Sequence, residues 1–177
     1  SAKEMMTAQK IPVIPGSDGI VKDISEGHTI ANDIGYPVMI KAAAGGGGKG
    51  MRMATSEKDF ENAFKNAATE AKNAFGDDGL YIEKVIVNPK HVEVQLLADK
   101  FGNVIHLGER DCSVQRKNQK MVEEAPCIVI SDELREAIGN DAVAAAKAVG
   151  YENAGTIEFL LDKDGNYYFM EMNTRIQ

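Results

Sequence analysis

Residues 45–50 read Gly45-Gly46-Gly47-Gly48-Lys49-Gly50, and this run constrains the fold more than any other stretch. Glycine loses more conformational freedom on ordering than any other residue, so four in succession do not belong inside a helix or strand. Apolar Val38-Met39-Ile40 before the run reads as a buried strand, and Met51-Arg52-Met53 after it as a second short strand. The next helix begins only after Ser56, a good N-cap, with Phe60, Ala63, Phe64, Ala67, Ala68, Ala71 and Phe75 on one stripe. Gly45, Gly47 and Gly50 satisfy G-x-G-x-x-G, but a dinucleotide fold needs the helix directly after the loop. Lys49 is followed by Gly50 instead of Ser or Thr, so the run is not a Walker A loop. Two readings remain: a hairpin flap whose bare amides lie over phosphates, and a flexible tip that binds nothing. Lys41, ending the first strand, either reaches a phosphate from beneath or is a surface lysine.

Around this run lie further helices and short strands, and an α+β fold is expected. Pro12, Pro15, Gly16 and Gly19 make residues 11–19 a loop. A helix is predicted from near Ser25 to Ile34, ended by Gly35, and a strand over Leu80–Val85. The expected organisation is a helix end and linker over residues 1–14, a small lid lobe over 15–83, and a second, incomplete lobe over 84–177. In that second lobe His91–Ala98 is a strand, with Val92, Val94, Leu96 and Ala98 on one face and His91, Glu93 and Gln95 on the other. Val104–Leu107 returns beside it. Asp132–Val149 is a helix capped by Ser131, and Thr156–Leu161 and Tyr167–Met172 are strands.

Of the 177 residues, 44% are hydrophobic and the net charge is -7. The charge argues against a general nucleic-acid binder, and no apolar run approaches the length of a membrane span. Cys112 and Cys127 lack paired metal spacing and are too few for a disulfide scaffold, so two reduced thiols and a cytoplasmic setting are expected. The sequence opens on Ser-Ala-Lys-Glu-Met-Met and closes on a polar run without a cap, so a piece of a longer protein is expected.

Chemistry concentrates near the end of the chain. Asp164-Gly165 is a preferred two-residue type I′ turn. Centred there, the hairpin sets Lys163 against Asn166, Glu158 against Glu171 and Thr156 against Asn173; a three-residue loop does not give this pairing. Like charges opposed across strands destabilise a sheet, and Ile157, Phe159, Leu160, Phe169 and Met170 leave little solvent to relieve them. A divalent cation resolves the conflict. Glu158, Glu171 and Asn173 offer only oxygen, which suits Mg²⁺ or Mn²⁺. Arg175 follows on the same parity and can hold an anion beside the metal. The run from Glu109 to Lys120 carries Arg110, Arg116, Lys117 and Lys120 and no helical stripe; alone it reads as a solvated charged loop, and beside a phosphate flap and a metal pair it reads as an anion-binding loop. His91 begins a strand and is either a nucleotide contact or structural. His28 and His106 have no evident partner.

Taken together these residues resemble the biotin carboxylases, an ATP-grasp family. Residues 41–52, from Lys41 through the glycines to Arg52, resemble the family's glycine-rich lid. Glu83-Lys84 with Asn88–Gln95 is similar to its next segment. Glu109–Lys120 and Glu123-Glu124-Ala125-Pro126 are similar to its most specific stretch, and Gly155–Phe159 and Glu171–Gln177 to its metal and active-site strands. The resemblance runs in order through essentially the whole chain.

It implies an ATP-grasp fold and a ligase that uses ATP and bicarbonate to carboxylate biotin. The implied reagents are ATP, Mg²⁺ or Mn²⁺, bicarbonate and biotin on a carrier. The implied partners are a biotin carboxyl carrier and a carboxyltransferase, with a homodimeric parent, as in the acetyl-CoA carboxylase of fatty acid biosynthesis. Lys41, Gly47 and Gly48 would contact ATP phosphates, and Glu83, Lys84, Val85 and Ile86 would hold adenine, largely through backbone groups. His91, Gln115 and Asn118 would line the nucleotide site. Glu158 and Glu171 would bind the metals, with Asn173 on the second. Lys120 and Arg175 would hold bicarbonate and stabilise charge on the enolate of biotin or on carboxyphosphate. Asn118 stands where many relatives carry a histidine and cannot take a charge, and Val85 stands where an aromatic is common. The resemblance also implies that further ATP-, bicarbonate- and biotin-binding groups lie outside these residues, so the chain alone is expected to bind nucleotide without turnover. Another carboxyphosphate-forming ligase, such as a carbamoyl-phosphate synthetase, and a non-catalytic nucleotide-binding module remain as alternatives.

Overall fold

The structure, a computed structural model, describes residues 2–44, 50–117 and 119–175. The chain divides into two compact units, Ile14–Val85 and a second that joins Ser1–Val13 to Ile86–Gln177.

The Ile14–Val85 unit is a three-stranded antiparallel sheet with two helices on one face. Its elements are α2 (Ile24–Ile34), β1 (Val38–Ala42), β2 (Met51–Ala54), α3 (Glu57–Phe75) and β3 (Leu80–Lys84), with strand order β2-β1-β3; α1 belongs to the other unit. Val38, Ile40 and Ala42 alternate inward along β1 and pack with Ala54, Leu80 and Ile82 against Ala31, Phe60, Ala67 and Ala71. Helix α2 begins at Ile24, one residue before the predicted Ser25, and ends at Ile34 as predicted. Asp23 is its N-cap, accepting from the Glu26 amide at 2.9 Å, while the Glu26 carboxylate accepts from the Lys22 amide at 2.7 Å. This reciprocal pair satisfies amides that have no partner inside the helix.

Gly16 lies against β3, bridged to Glu83. A Cβ there would sit 2.4 Å from the Ile82 carbonyl oxygen, and a backbone oxygen held in a sheet cannot step aside. Gly16→Ala is therefore expected to destabilise the protein by about 1–3 kcal/mol, the usual cost of forced overpacking. Urea titration of the variant against wild type checks this.

The second unit holds α1 (Ala2–Ala8), β4 (Lys90–Ala98), β5 (Val104–Arg116), β6 (Gln119–Glu124), α4 (Asp132–Ala148), β7 (Asn153–Leu161) and β8 (Tyr167–Asn173). Its five strands form an antiparallel sheet in the order β6-β5-β4-β7-β8. One face is covered: Met6 and Ile11 join Ile138, Ala142, Ala145 and Ala146 of α4 over Val94, Leu96, Val104, Ile157 and Phe159. Residues 1–14, expected as a helix end and linker, thus contribute Met6 and Ile11 to this core.

Two expectations need correction. The Glu109–Lys120 run is not a loop: β5 continues through Arg116, and β6 starts at Gln119. The run lacks an apolar stripe because its buried positions, Glu109, Asp111 and Cys112, are largely charges, Asp111 partnered by Lys90 of β4 and Glu109 by Arg135 of α4. The final hairpin also turns differently. Asp162 and Asn166 are hydrogen-bonded at 2.8 Å around a three-residue loop, and Gly165 takes φ 86°. Lys163 therefore does not face Asn166. From Leu161↔Tyr167 to Phe159↔Phe169 the register is one residue off the expected one. A bulge at Met170 restores it, so that Glu158 faces Glu171 and Thr156 faces Asn173. Two one-residue shifts cancel.

Candidate functional site

The face of the five-stranded sheet away from α4 is polar. Register aligns Arg110, Glu93, Glu158 and Glu171 in one row across β5, β4, β7 and β8. Gln95, Thr156 and Asn173 form the next row. Glu93 is 0% exposed and Glu158 3%, so water cannot relieve their repulsion. Basic side chains do. Arg110 donates to Glu93 Oε1 from Nε at 2.8 Å and from Nη2 at 2.5 Å, and Nη2 also donates to Gln95 Oε1 at 2.9 Å. Lys120 Nζ bridges the two carboxylates, 2.6 Å from Glu93 Oε2 and 2.9 Å from Glu158 Oε2. His91 Nδ1 lies 2.9 Å from Glu158 Oε1. A metal is therefore not the sole answer to the opposed carboxylates, because Lys120 already answers part of it. Glu93 escaped the sequence reading as a site residue, and Arg110 entered it only as one cation of the Glu109–Lys120 run. The alternation of His91, Glu93 and Gln95 in β4 was the signal for Glu93, since its partners come from other strands.

Burial alone would raise the Glu158 pKa, but hydrogen bonds and charge from His91 and Lys120 outweigh it and hold the group below its ordinary 4.5. Burial alone would lower the Lys120 pKa, and Glu93 and Glu158 outweigh it upward. Both groups are thus ionised at neutral pH. On the covered face, burial likewise pushes Asp111 up, while Ser113 and Lys90 pull it further down, below 3.8. A depressed folded-state pKa contributes stability above the unfolded value and loses it as pH falls through the folded one. Asp111→Asn is therefore expected to be less stable than wild type by a constant margin above pH 3.8. That margin should shrink on acidification below it. Urea unfolding across this pH range measures it.

Glu158, Glu171 and Asn173 fit a hard divalent cation. All offer oxygen, Glu158 is held ionised, and Glu171 is exposed at the outer end of the row with Asn173 Nδ2 3.5 Å from its Oε1. Thr156 Oγ1, in the same row as Asn173, is buried with no hydrogen-bond partner among the described residues. Glu93, Cys112 and Glu123 also converge, but they do not fit a metal. Burial pushes the Cys112 thiol up to about 12, and Arg110 and Lys120 occupy Glu93.

In the Ile14–Val85 unit, Lys41 leaves the sheet face opposite the helices and pairs with Glu83. The Lys84 side chain packs back onto α2. Its Nζ donates to the Ile34 and Gly35 carbonyls at 2.8 and 3.1 Å, closing the C-terminus of α2. The Lys84 and Val85 amides donate to the Pro15 and Pro37 carbonyls at 2.8 and 3.0 Å. Ile86 follows in the next unit and is half-buried. Gln115 Nε2 donates to the Cys112 carbonyl at 2.9 Å, and Arg175 is exposed just past β8, which ends at Asn173. Gly47, Gly48 and Asn118 lie outside the described residues.

Comparison with known proteins assigns the chain to a family. All of residues 1–177 match the family model described as "Carbamoyl-phosphate synthase L chain, ATP binding domain". The chain is 57% identical over its full length to biotin carboxylase 1, chloroplastic, of Populus trichocarpa, and covers 34% of that protein. A biotin carboxylase domain of a thermophilic 2-oxoglutarate carboxylase, solved with bicarbonate, aligns with 99% of the chain at TM-score 0.90 and 52% identity. The chain covers 38% of that one. The biotin carboxylase domain dimer of Hydrogenobacter thermophilus 2-oxoglutarate carboxylase, solved with MgADP, ADP and bicarbonate, aligns with 99% at TM-score 0.78 and 56% identity. The chain covers 39% of it. The chain thus spans between a third and two fifths of these proteins, and its fold is that of their ATP-grasp domains. It belongs to the family of the carbamoyl-phosphate synthase L chain ATP binding domain, within which it is similar to biotin carboxylases along its whole length.

Proposed function

We propose that the protein carrying this chain is a biotin carboxylase that uses ATP and bicarbonate to carboxylate biotin, and that this segment supplies nucleotide, metal and bicarbonate contacts. The observation that carries the reading is the row Arg110–Glu93–Glu158–Glu171, buried at Glu93 and Glu158, with Lys120 across it. It offers anionic oxygens for a cation at one end and an ammonium for an anion beside them. Neighbours of the same fold bind MgADP and bicarbonate.

Glu158, Glu171 and Asn173 would hold Mg²⁺ or Mn²⁺, which supplies neutralisation of phosphate charge when bound. Lys41, Gly47 and Gly48 would meet the phosphates, and Lys41 would exchange its Glu83 partner for them. Residues 83–86 would hold adenine through backbone groups. With the Lys84 and Val85 amides already occupied, that contact falls to the carbonyls and to the Ile86 amide. His91, Gln115 and Asn118 would line the nucleotide site. Lys120 and Arg175 would hold bicarbonate and then the carboxyphosphate formed from it, keeping a reactive anion oriented and shielded from water. A biotin carrier and a carboxyltransferase are the expected partners. A homodimer is the expected assembly, in line with the dimeric Hydrogenobacter domain.

The family model's own description favours one second reading, a carbamoyl-phosphate-forming ligase, which shares the carboxyphosphate step. ADP release by the full-length protein, supplied with ATP, Mg²⁺ and bicarbonate, separates the two. Stimulation by free biotin supports the carboxylase. Stimulation by ammonia and not by biotin overturns it.

A further inference from the structure

The β4–β5 ladder ends at Val92↔Asp111, and β5 changes register toward β6 between Asp111 and Val114. Continued by one step, the ladder would set His91 against Cys112. It stops instead, and the His91 amide, on the side facing β5, loses the backbone carbonyl that a regular ladder supplies. A side chain takes over. Ser113 Oγ accepts from the His91 amide at 3.0 Å. The same hydroxyl donates to Asp111 Oδ1, which also accepts from the Ser113 amide at 2.9 Å. Lys90 Nζ, the cation beside His91, holds the other Asp111 oxygen at 3.0 Å.

The direction of these bonds is forced. An ionised carboxylate only accepts, so the Ser113 O–H must point at Asp111 and its lone pairs at His91. His91 in turn places Nδ1 2.9 Å from Glu158 Oε1. A chain of contacts therefore runs from Asp111, which faces Cys127 on the covered side, to a carboxylate of the polar row. We propose that Ser113, oriented by Asp111, is a positioning residue that pins the start of β4 and holds the His91 imidazole against Glu158. This rests on the reading of Glu158 as part of the nucleotide and metal site.

The test uses the full-length protein and three variants. Ser113→Ala removes the acceptor, Ser113→Thr keeps it, and Ser131→Ala removes the α4 N-cap, which accepts from the Leu134 amide at 3.2 Å far from His91 in sequence. The last serves as a control for loss of stability alone. Two quantities are read: hydrogen exchange at the His91 amide, and affinity for ADP with Mn²⁺. Ser113→Ala is expected to exchange at His91 about ten-fold faster, the equivalent of one lost hydrogen bond. It should bind Mn²⁺ and ADP about ten-fold more weakly, the usual effect of losing an outer support. Ser113→Thr should restore both, and Ser131→Ala should change neither. Affinity within about two-fold of wild type for Ser113→Ala overturns the proposal, as does unchanged exchange at His91. Failure of wild type itself to bind ADP with Mn²⁺ counts against the site reading instead, and the exchange measurement still decides the pin.

Discussion

Glu93→Leu is expected to lower stability by about 3 kcal/mol, the largest single effect among the charged residues of this sheet. Glu93 is 0% exposed and is the shared partner of Arg110 and Lys120. Removing it leaves two cations in a partly desolvated place, and breaking a buried pair from one side costs about 3–5 kcal/mol. The lower end applies because Arg110 and Lys120 side chains remain 21% and 18% exposed and recover some hydration. The double variant Glu93→Leu with Arg110→Met should recover part of the loss, since it removes both members of the closest pair. Glu93→Gln should cost less than leucine because it keeps an acceptor for Arg110. Urea unfolding of the three variants gives the order directly. If leucine is tolerated with no measurable loss, the row is a solvated surface feature and the buried-network description is wrong.

Glu171→Gln is expected to act in the opposite manner, with a large functional effect and almost none on stability. Glu171 is exposed, and its Oε1 lies 3.5 Å from Asn173 Nδ2. Substitutions at such positions usually stay within about 0.5 kcal/mol. The amide keeps the shape and removes the charge that a hard cation needs. Loss of one charged oxygen ligand is at least as severe as loss of an outer-shell partner, which costs about 10–100-fold in metal affinity. Mn²⁺ affinity in the presence of ADP should fall by that factor, and ATP turnover by the full-length protein should fall with it. Unchanged metal affinity alongside an intact fold would remove Glu171 from the site. The same measurement on Glu158→Gln carries both penalties. Glu158 has lost solvent and holds His91 and Lys120, so that variant is expected to lose stability as well as metal.

The opposition of Glu158 and Glu171 was legible in the sequence, but the turn behind it was not. Asp164-Gly165 marks a tight hairpin without specifying two residues or three, and here Gly165 with φ 86° closes a three-residue loop. Phe169-Met170 is apolar throughout, so nothing in its pattern announces a bulge at Met170. The pairing came out as predicted because the two shifts cancel. The Glu109–Lys120 segment shows the reverse error. Periodicity reads burial through apolar residues, and β5 buries Glu109 and Asp111 by pairing them with Arg135 and Lys90.

Local pattern by itself determined most helices and strands of both units, the alternation that separates His91, Glu93 and Gln95 from the core face of β4, and the family to which the order of motifs belongs. Those properties depend on residues a few positions apart, where backbone geometry sets the period. Tertiary structure alone decided which charges meet. Arg110 reaches Glu93 across 17 residues, Lys84 reaches Ile34 across 50, and His91 reaches Glu158 across 67. The strand-to-strand contacts among these, Arg110 to Glu93 and His91 to Glu158, are fixed by register and by where a ladder stops. Register is a property of two strands together, so no single segment of the sequence contains it.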